Sequence, residues 1–219
     1  MATNPTMRTP IERCEEKSLH TQGVLARFNS VPALQGLASI LELATGNLLQ
    51  KQAELVLKRK ALIALRIEVL MCDRDSDQLI RACVKRVQIQ DGQPEGRLEK
   101  TLYPDGSTPI IKPVGTLQVT EMRKLEGRYA AVVEQWPESA EEHRKLVASR
   151  EKYEAALTAR KAGLDAVGQA VVARDVAKEE FLDVFVEVAS RIEAAFPRDK
   201  RTQDLFFLGD KEREDDEAA

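Results

Sequence analysis

The chain has 219 residues and a net charge of −3, and 32% of its residues are charged while 43% are hydrophobic. This length allows one or two domains with a sizeable core, and the composition is neither that of a disordered chain nor that of a membrane protein. The strongly basic balance of nucleic-acid-binding domains is absent, so we expect no nucleic acid among the partners.

Residues 1–30 are predicted to form an N-terminal arm that is partly disordered or carries a short helix. Thr9 and Pro10 suit a helix start, because Thr caps the first turn and Pro is tolerated at the first helical position. The arm lacks the apolar core of a secretory signal, and no run in the chain approaches the roughly 18 apolar residues of a membrane span. We therefore expect a cytoplasmic protein, with export without a classical signal as the alternative.

A single helical domain is predicted for residues 31–197, and it begins with a long helix over about residues 33–90. From Leu34 onward, an apolar residue recurs at every seventh position through six heptads, as at the a position of a coiled coil. Lys51 and Lys58 fall at d positions and are defects in this seam, although long lysine stems can lie along an apolar surface. The repeat predicts that this helix packs lengthwise against another helix.

A second apolar stripe lies beside the heptad seam on the same helix. It occupies b and c positions, namely Leu43, Leu49, Val56, Leu57, Ile63, Leu70 and Met71. A two-stranded coiled coil buries only one narrow seam, so these residues would stay exposed in a simple pair of helices. Because each buried Leu contributes roughly 1.5–3 kcal/mol, we expect this stripe to contact a further neighbour.

Residues 91–118 are predicted to turn the chain around as a short Pro/Gly-containing β-hairpin or loop. The segment "RLEKTLYPDGSTPIIK" has two short runs that can be extended, one on each side of a Pro-Asp-Gly turn. Pro109 and Pro113 limit the second run to an edge strand. Tyr103 and Ile110 are the residues through which this 98–112 edge could bind a partner.

A short helix is then predicted over 120–136 and a second long helix over 139–196. The two long helices are similar in length, so the predicted fold is all-α, a long antiparallel helical hairpin or coiled-coil bundle around the inserted turn. The tail over 198–219 is charged and is predicted to be mobile, apart from its apolar segment "DLFFL". Three residues of that segment are expected to dock on this chain or on a neighbour: Leu205, Phe206 and Phe207.

No catalytic residue, cofactor site or metal site is predicted. The segment "DRDSDQ" begins like a calcium loop, but Gln78 stands at the glycine position and Val84 at the glutamate position of that motif. Its acids, starting at Asp73, are expected to cap a helix that restarts there or to occupy a solvated bend. Cys72 and Cys83 fall on one seam, which favours buried core thiols over a reactive pair.

The long helices, the heptad seam and the second stripe favour a structural or scaffolding protein that assembles into a homo-oligomer or filament without catalysis. Two alternatives stay open. One is a membrane-active helical-bundle protein, in which the element between the long helices enters lipid. The other is an adaptor that binds another protein through the 98–112 edge or the C-terminal tail.

Overall fold

The computed structural model describes residues 4–209, and every regular element in this range is helical. A 3-10 turn at Pro32–Leu34 lies between the first two helices. The α-helices in chain order are α1 (Ile11–Arg27), α2 (Leu37–Asp91), α3 (Arg97–Leu102), α4 (Thr108–Ile111), α5 (Thr116–Val132), α6 (Ser139–Ala195) and α7 (Lys200–Leu205). The prediction of an all-α protein with two long helices is confirmed.

The long helix α2 continues without interruption through the acidic segment 73–77. Two of the three acids there are held by other helices: Asp73 accepts a hydrogen bond from the Tyr153 hydroxyl at 2.8 Å, and Asp77 accepts one from the Gln118 amide at 2.7 Å. These bonds give both carboxylates a partner, so the carboxylates do not compete for the hydrogen bonds of the helix backbone. The expectation that the acids cap a helix restart or occupy a solvated bend is therefore wrong.

The heptad a positions from residue 34 to residue 83 are all buried. They are Leu34, Leu41, Leu48, Leu55, Leu62, Val69, Ser76 and Cys83, each at most 8% exposed. The second line of buried residues departs from the predicted d positions late in α2, where Ile80 and Val87 are fully buried while Arg86 is exposed. Of the two seam lysines, Lys51 is half-buried and Lys58 is exposed.

The described residues form two compact units. The terminal unit contains the described residues up to Lys58 and those from Val167 onward, and the central unit is Arg59–Ala166. The core of the terminal unit is built by α1, the first part of α2 and the last part of α6. Its buried members are Ile11, Cys14, Leu25, Leu34, Leu37, Leu41, Leu48, Phe181, Phe185, Val188, Ile192 and Phe206.

The apolar segment near the C-terminus docks into the terminal unit. Phe206 is fully buried, and its ring centroid lies 5.0 Å from that of Phe28 and 5.9 Å from that of Phe196. The Thr21 hydroxyl also donates a hydrogen bond of 2.8 Å to the Phe206 carbonyl. Phe206 thus docks on this chain itself. Within the tail predicted to be mobile, Lys200–Leu205 form α7, and the part from residue 210 onward lies outside the described residues.

The core of the central unit is formed by the second part of α2, by α3, α4 and α5, and by the first part of α6. Its fully buried large residues include Ile80, Leu102, Met122, Leu125 and Tyr129. Within this unit α2 and α6 run antiparallel, because contacts join 62 to 163, 76 to 149 and 83 to 142. The interpretation of the long helices as a coiled-coil hairpin stays a prediction.

The predicted β-hairpin is absent, since residues 4–209 contain no strand. The two runs expected to be extended form the short helices α3 and α4, and the Pro-Asp-Gly turn joins them, with Gly106 at φ +74°. Pro109 lies in the first turn of α4, where its missing N–H costs no hydrogen bond. Tyr103, directly after α3, and Ile110 of α4 are both buried in the core.

Candidate functional site

The residues predicted to mediate interactions fall into three groups by exposure. The exposed ones are Leu43, Leu57, Ile63, Leu70, Met71 and Leu205. The half-buried ones are Leu49, Val56 and Phe207. Tyr103, Ile110 and Phe206 are buried and form part of the core, so these three are not available on the surface. Consequently the 98–112 segment offers neither a strand edge nor its two apolar anchors to a partner.

The central unit carries an exposed line of residues on α2, which we call the α2 stripe: Lys60, Ile63, Ile67, Leu70 and Arg74. The three apolar members at its centre are 56%, 55% and 65% exposed. Alternate spacings of three and four residues place all five side chains on one face of the helix. Ile67 belongs to this face although it lies at an f position of the heptad, outside the b and c positions of the predicted stripe.

The charges on the α2 stripe and next to it are mainly positive. Lys60 and Arg74 stand at the two ends of the stripe, and Arg59 and Arg66 flank it on one side. None of these four cations forms an ion pair or hydrogen bond with another described residue. By contrast Glu68, which lies away from this face, is 3.5 Å from the ammonium of Lys152. The stripe is therefore an apolar surface bordered by free cations.

A surface groove of about 640 Å³ lies next to the stripe within the central unit. Leu70 belongs to both the stripe and the groove, and Leu157 and Leu164 of α6 supply further apolar lining. Arg160 and Lys161 add two positive charges beside Arg66 at its edge. The groove thus repeats the character of the stripe, with apolar walls and cationic borders.

Tyr153 fixes one wall of the groove. Its hydroxyl donates to the Asp73 carboxylate at 2.8 Å and accepts from the Gly115 backbone N–H, also at 2.8 Å. The pKa of Tyr153 is raised to about 12, mainly by burial; the bond from Gly115 opposes this rise and the bond to Asp73 adds to it. Gly115 has φ +67°, a left-handed conformation that suits glycine. These bonds tie the start of α5 to both long helices of the central unit.

The cysteines offer no exposed nucleophile. Cys14, Cys72 and Cys83 are free thiols, and all three are buried. Burial raises the pKa of each thiol, which keeps it neutral and unreactive at neutral pH. The expectation that Cys72 and Cys83 are buried core thiols is confirmed.

Two features are absent from residues 4–209. In this range there is no group of three or more His, Cys, Asp or Glu side chains arranged to hold a metal ion. No helix in the same range is both long and apolar enough to cross a membrane.

Comparison of the chain with models of known protein families, with curated proteins and with solved structures finds no significant match.

Proposed function

We propose that this protein is a structural protein that self-associates through the α2 stripe into a homo-oligomer or filament, without catalysing a reaction. The observation that carries this proposal is the exposure of Ile63, Ile67 and Leu70, which are neighbours on one helix face and each more than half exposed. Isolated exposed leucines are ordinary on protein surfaces, but a contiguous apolar line bordered by charges is typical of an interface.

The spacing of the stripe suits docking against another helix. Side chains three and four residues apart form a ridge that can enter the groove of a facing helix. Burying each of the three central side chains would contribute roughly 1–2 kcal/mol after discounting the part already covered, since full burial contributes about 1.5–3 kcal/mol. Three such contributions at the centre of an interface are enough to make association depend on them.

The proposal is tested by placing carboxylates in the centre of the stripe. We expect the double substitution Ile63→Glu and Leu70→Glu to weaken self-association by about 100-fold, because it replaces two central apolar contacts with charges that must be desolvated. Both residues are exposed in the single chain, so folding should be retained. Light scattering after size-exclusion chromatography gives the mass, and circular dichroism checks the fold.

A matched control makes the same chemical change elsewhere. Ile89 and Leu19 are 79% and 57% exposed and lie outside the stripe, so Ile89→Glu with Leu19→Glu should leave the oligomer intact. Equal loss of assembly in both double variants would show a general effect of added charge. Unchanged assembly in the stripe variant would contradict the proposal.

The groove beside the stripe favours an adaptor role as the second candidate. In that case a helix of another protein would contact the apolar lining that includes Leu70, Leu157 and Leu164. The mass measurement separates the two candidates, because an adaptor of this kind would remain at the chain mass of 24.5 kDa when no partner is present.

A further inference from the structure

A second exposed stripe lies on α6 in the terminal unit, and we call it the α6 stripe: Val172, Val176, Glu179, Asp183 and Val186. Its valines are 63%, 48% and 48% exposed, and both acids are exposed. Spacings of four, three, four and three residues put these side chains on one face, in the same pattern as the α2 stripe.

The charges along the α6 stripe are opposite in sign to those of the α2 stripe. Glu179 and Asp183 lie within it, and Glu180 and Glu187 flank it on one side. Among these four acids, only Glu187 has an ion-pair partner, Arg191 at 2.6 Å, in the part of the chain that the structure describes. The Glu180 carboxylate accepts a hydrogen bond of 3.2 Å from the neutral amide of Asn47. The face is therefore apolar and acidic.

We infer that the α6 stripe of one copy docks on the α2 stripe of a second copy. The two stripes have the same helical spacing, and each combines branched apolar side chains with charges of one sign. In an antiparallel contact that sets Lys60 opposite Glu179, the matching spacing sets Ile63 opposite Val176 and Ile67 opposite Val172, so apolar side chains are buried beside a pair of opposite charges. This inference rests on the proposed self-association and specifies which two surfaces take part in it.

A contact between two different surfaces has a consequence for the assembly. After the first contact, one copy keeps its α2 stripe unoccupied and the other keeps its α6 stripe unoccupied. A third copy can therefore be added in the same way. The assembly then grows until it closes into a ring or continues as a filament. A symmetric pair of α2 stripes is the competing arrangement, but it would place Arg59, Lys60, Arg66 and Arg74 of both copies in one interface, where like charges repel.

The experiment reverses the charges of each stripe separately and then mixes the two proteins. One variant carries Lys60→Glu and Arg74→Glu, so that both its stripes are acidic. The other carries Glu179→Lys and Asp183→Lys, so that both its stripes are basic. We expect each variant alone to self-associate about 100-fold more weakly than the wild type, and an equimolar mixture to recover affinity to within about threefold.

The mixture is the decisive sample, because only there do the α2 and α6 stripes of two different copies carry opposite charges within the stripes. A control with Lys100→Glu and Lys112→Glu reverses two exposed cations away from the stripe and should assemble as the wild type does. Raising the salt concentration should weaken the wild-type assembly, since screening reduces attraction between exposed charges.

The outcomes separate this inference from the proposed function. If the wild type assembles and the Ile63→Glu, Leu70→Glu variant does not, but charge reversal on α6 changes nothing, the α6 docking is overturned while self-association through α2 stands. A mixture that stays as weak as its components also overturns the docking. A wild type that remains monomeric at high concentration removes both.

Discussion

At the scale of single residues, Tyr153 joins three parts of the central unit through one hydroxyl group. The oxygen donates to Asp73 of α2 and accepts from Gly115 in front of α5, while the ring belongs to α6 and is buried. A buried hydroxyl that has both a donor and an acceptor partner leaves no polar group unsatisfied in this wall of the groove.

Tyr153→Phe tests this arrangement because it removes only the hydroxyl. We expect the free energy of unfolding to fall by about 1–3 kcal/mol, since the Gly115 N–H and the Asp73 carboxylate each lose a partner. Tyr103→Phe is the matched control: its hydroxyl contacts another neutral hydroxyl, that of Tyr129, at 3.2 Å, so its loss should cost less. Urea unfolding measures both, and a Tyr153→Phe protein as stable as Tyr103→Phe would contradict the assigned role.

The raised pKa of Tyr153 adds a pH dependence to the same comparison. The folded state keeps this phenol neutral up to about pH 12, whereas its ordinary pKa is 10.0. Its contribution is therefore fully present below pH 10 and is lost as the pH rises towards 12, because the unfolded chain ionises first. The Phe variant should accordingly lose less stability than the wild type over that interval.

At the scale of elements, the end of α2 caps the start of α3. Both carboxylate oxygens of Asp91 accept backbone N–H bonds, from Leu98 at 3.1 Å and from Glu99 at 2.9 Å. The chain between them turns back so closely that a Cβ atom on Gly96 would overlap the Asp91 side chain. Gly96 has an ordinary φ of −69°, so the lack of a side chain, rather than backbone freedom, is what this position requires.

Gly96→Ala should displace Asp91 and break the cap of α3. We expect a loss of about 1–2 kcal/mol in the free energy of unfolding, which is the usual effect of losing an N-terminal cap. Gly127→Ala on α5 is the control, because no atom lies within 4 Å of its added Cβ and alanine favours a helix. Thermal unfolding compares the two, and equal stability of Gly96→Ala and wild type would show that Asp91 adjusts freely.

The elements also show what the sequence could predict and what it could not. The heptad repeat from Leu34 to Cys83 predicts buried positions well, because a helix packed along its length repeats its contacts every seven residues. The Pro-Asp-Gly turn gave no such guidance, since it can join two short helices as readily as two strands. The partners of Tyr153 come from distant parts of the chain, and those of Asp91 lie seven and eight residues further on, across a turn; no local pattern indicates either set.

At the scale of the whole molecule, the account depends on apolar surface that the single chain leaves uncovered. The sequence predicts that Ile63 and Leu70 contact a neighbour, the structure adds Ile67 to their face, and all three residues are exposed in one copy. The sequence could locate this surface, because a single partner helix covers only one seam of α2. It could not show the opposite charges of the α2 and α6 stripes, because their pairing depends on which side chains are exposed.

The most direct test of the central claim is sedimentation velocity of the unmodified protein over a dilution series from about 100 µM to about 0.1 µM. Reversible self-association through the stripes predicts a sedimentation coefficient that rises with concentration, with species heavier than the 24.5 kDa chain at the upper end. A single species of that mass throughout the series would mean that the exposed stripe does not bring copies together, and would contradict the account.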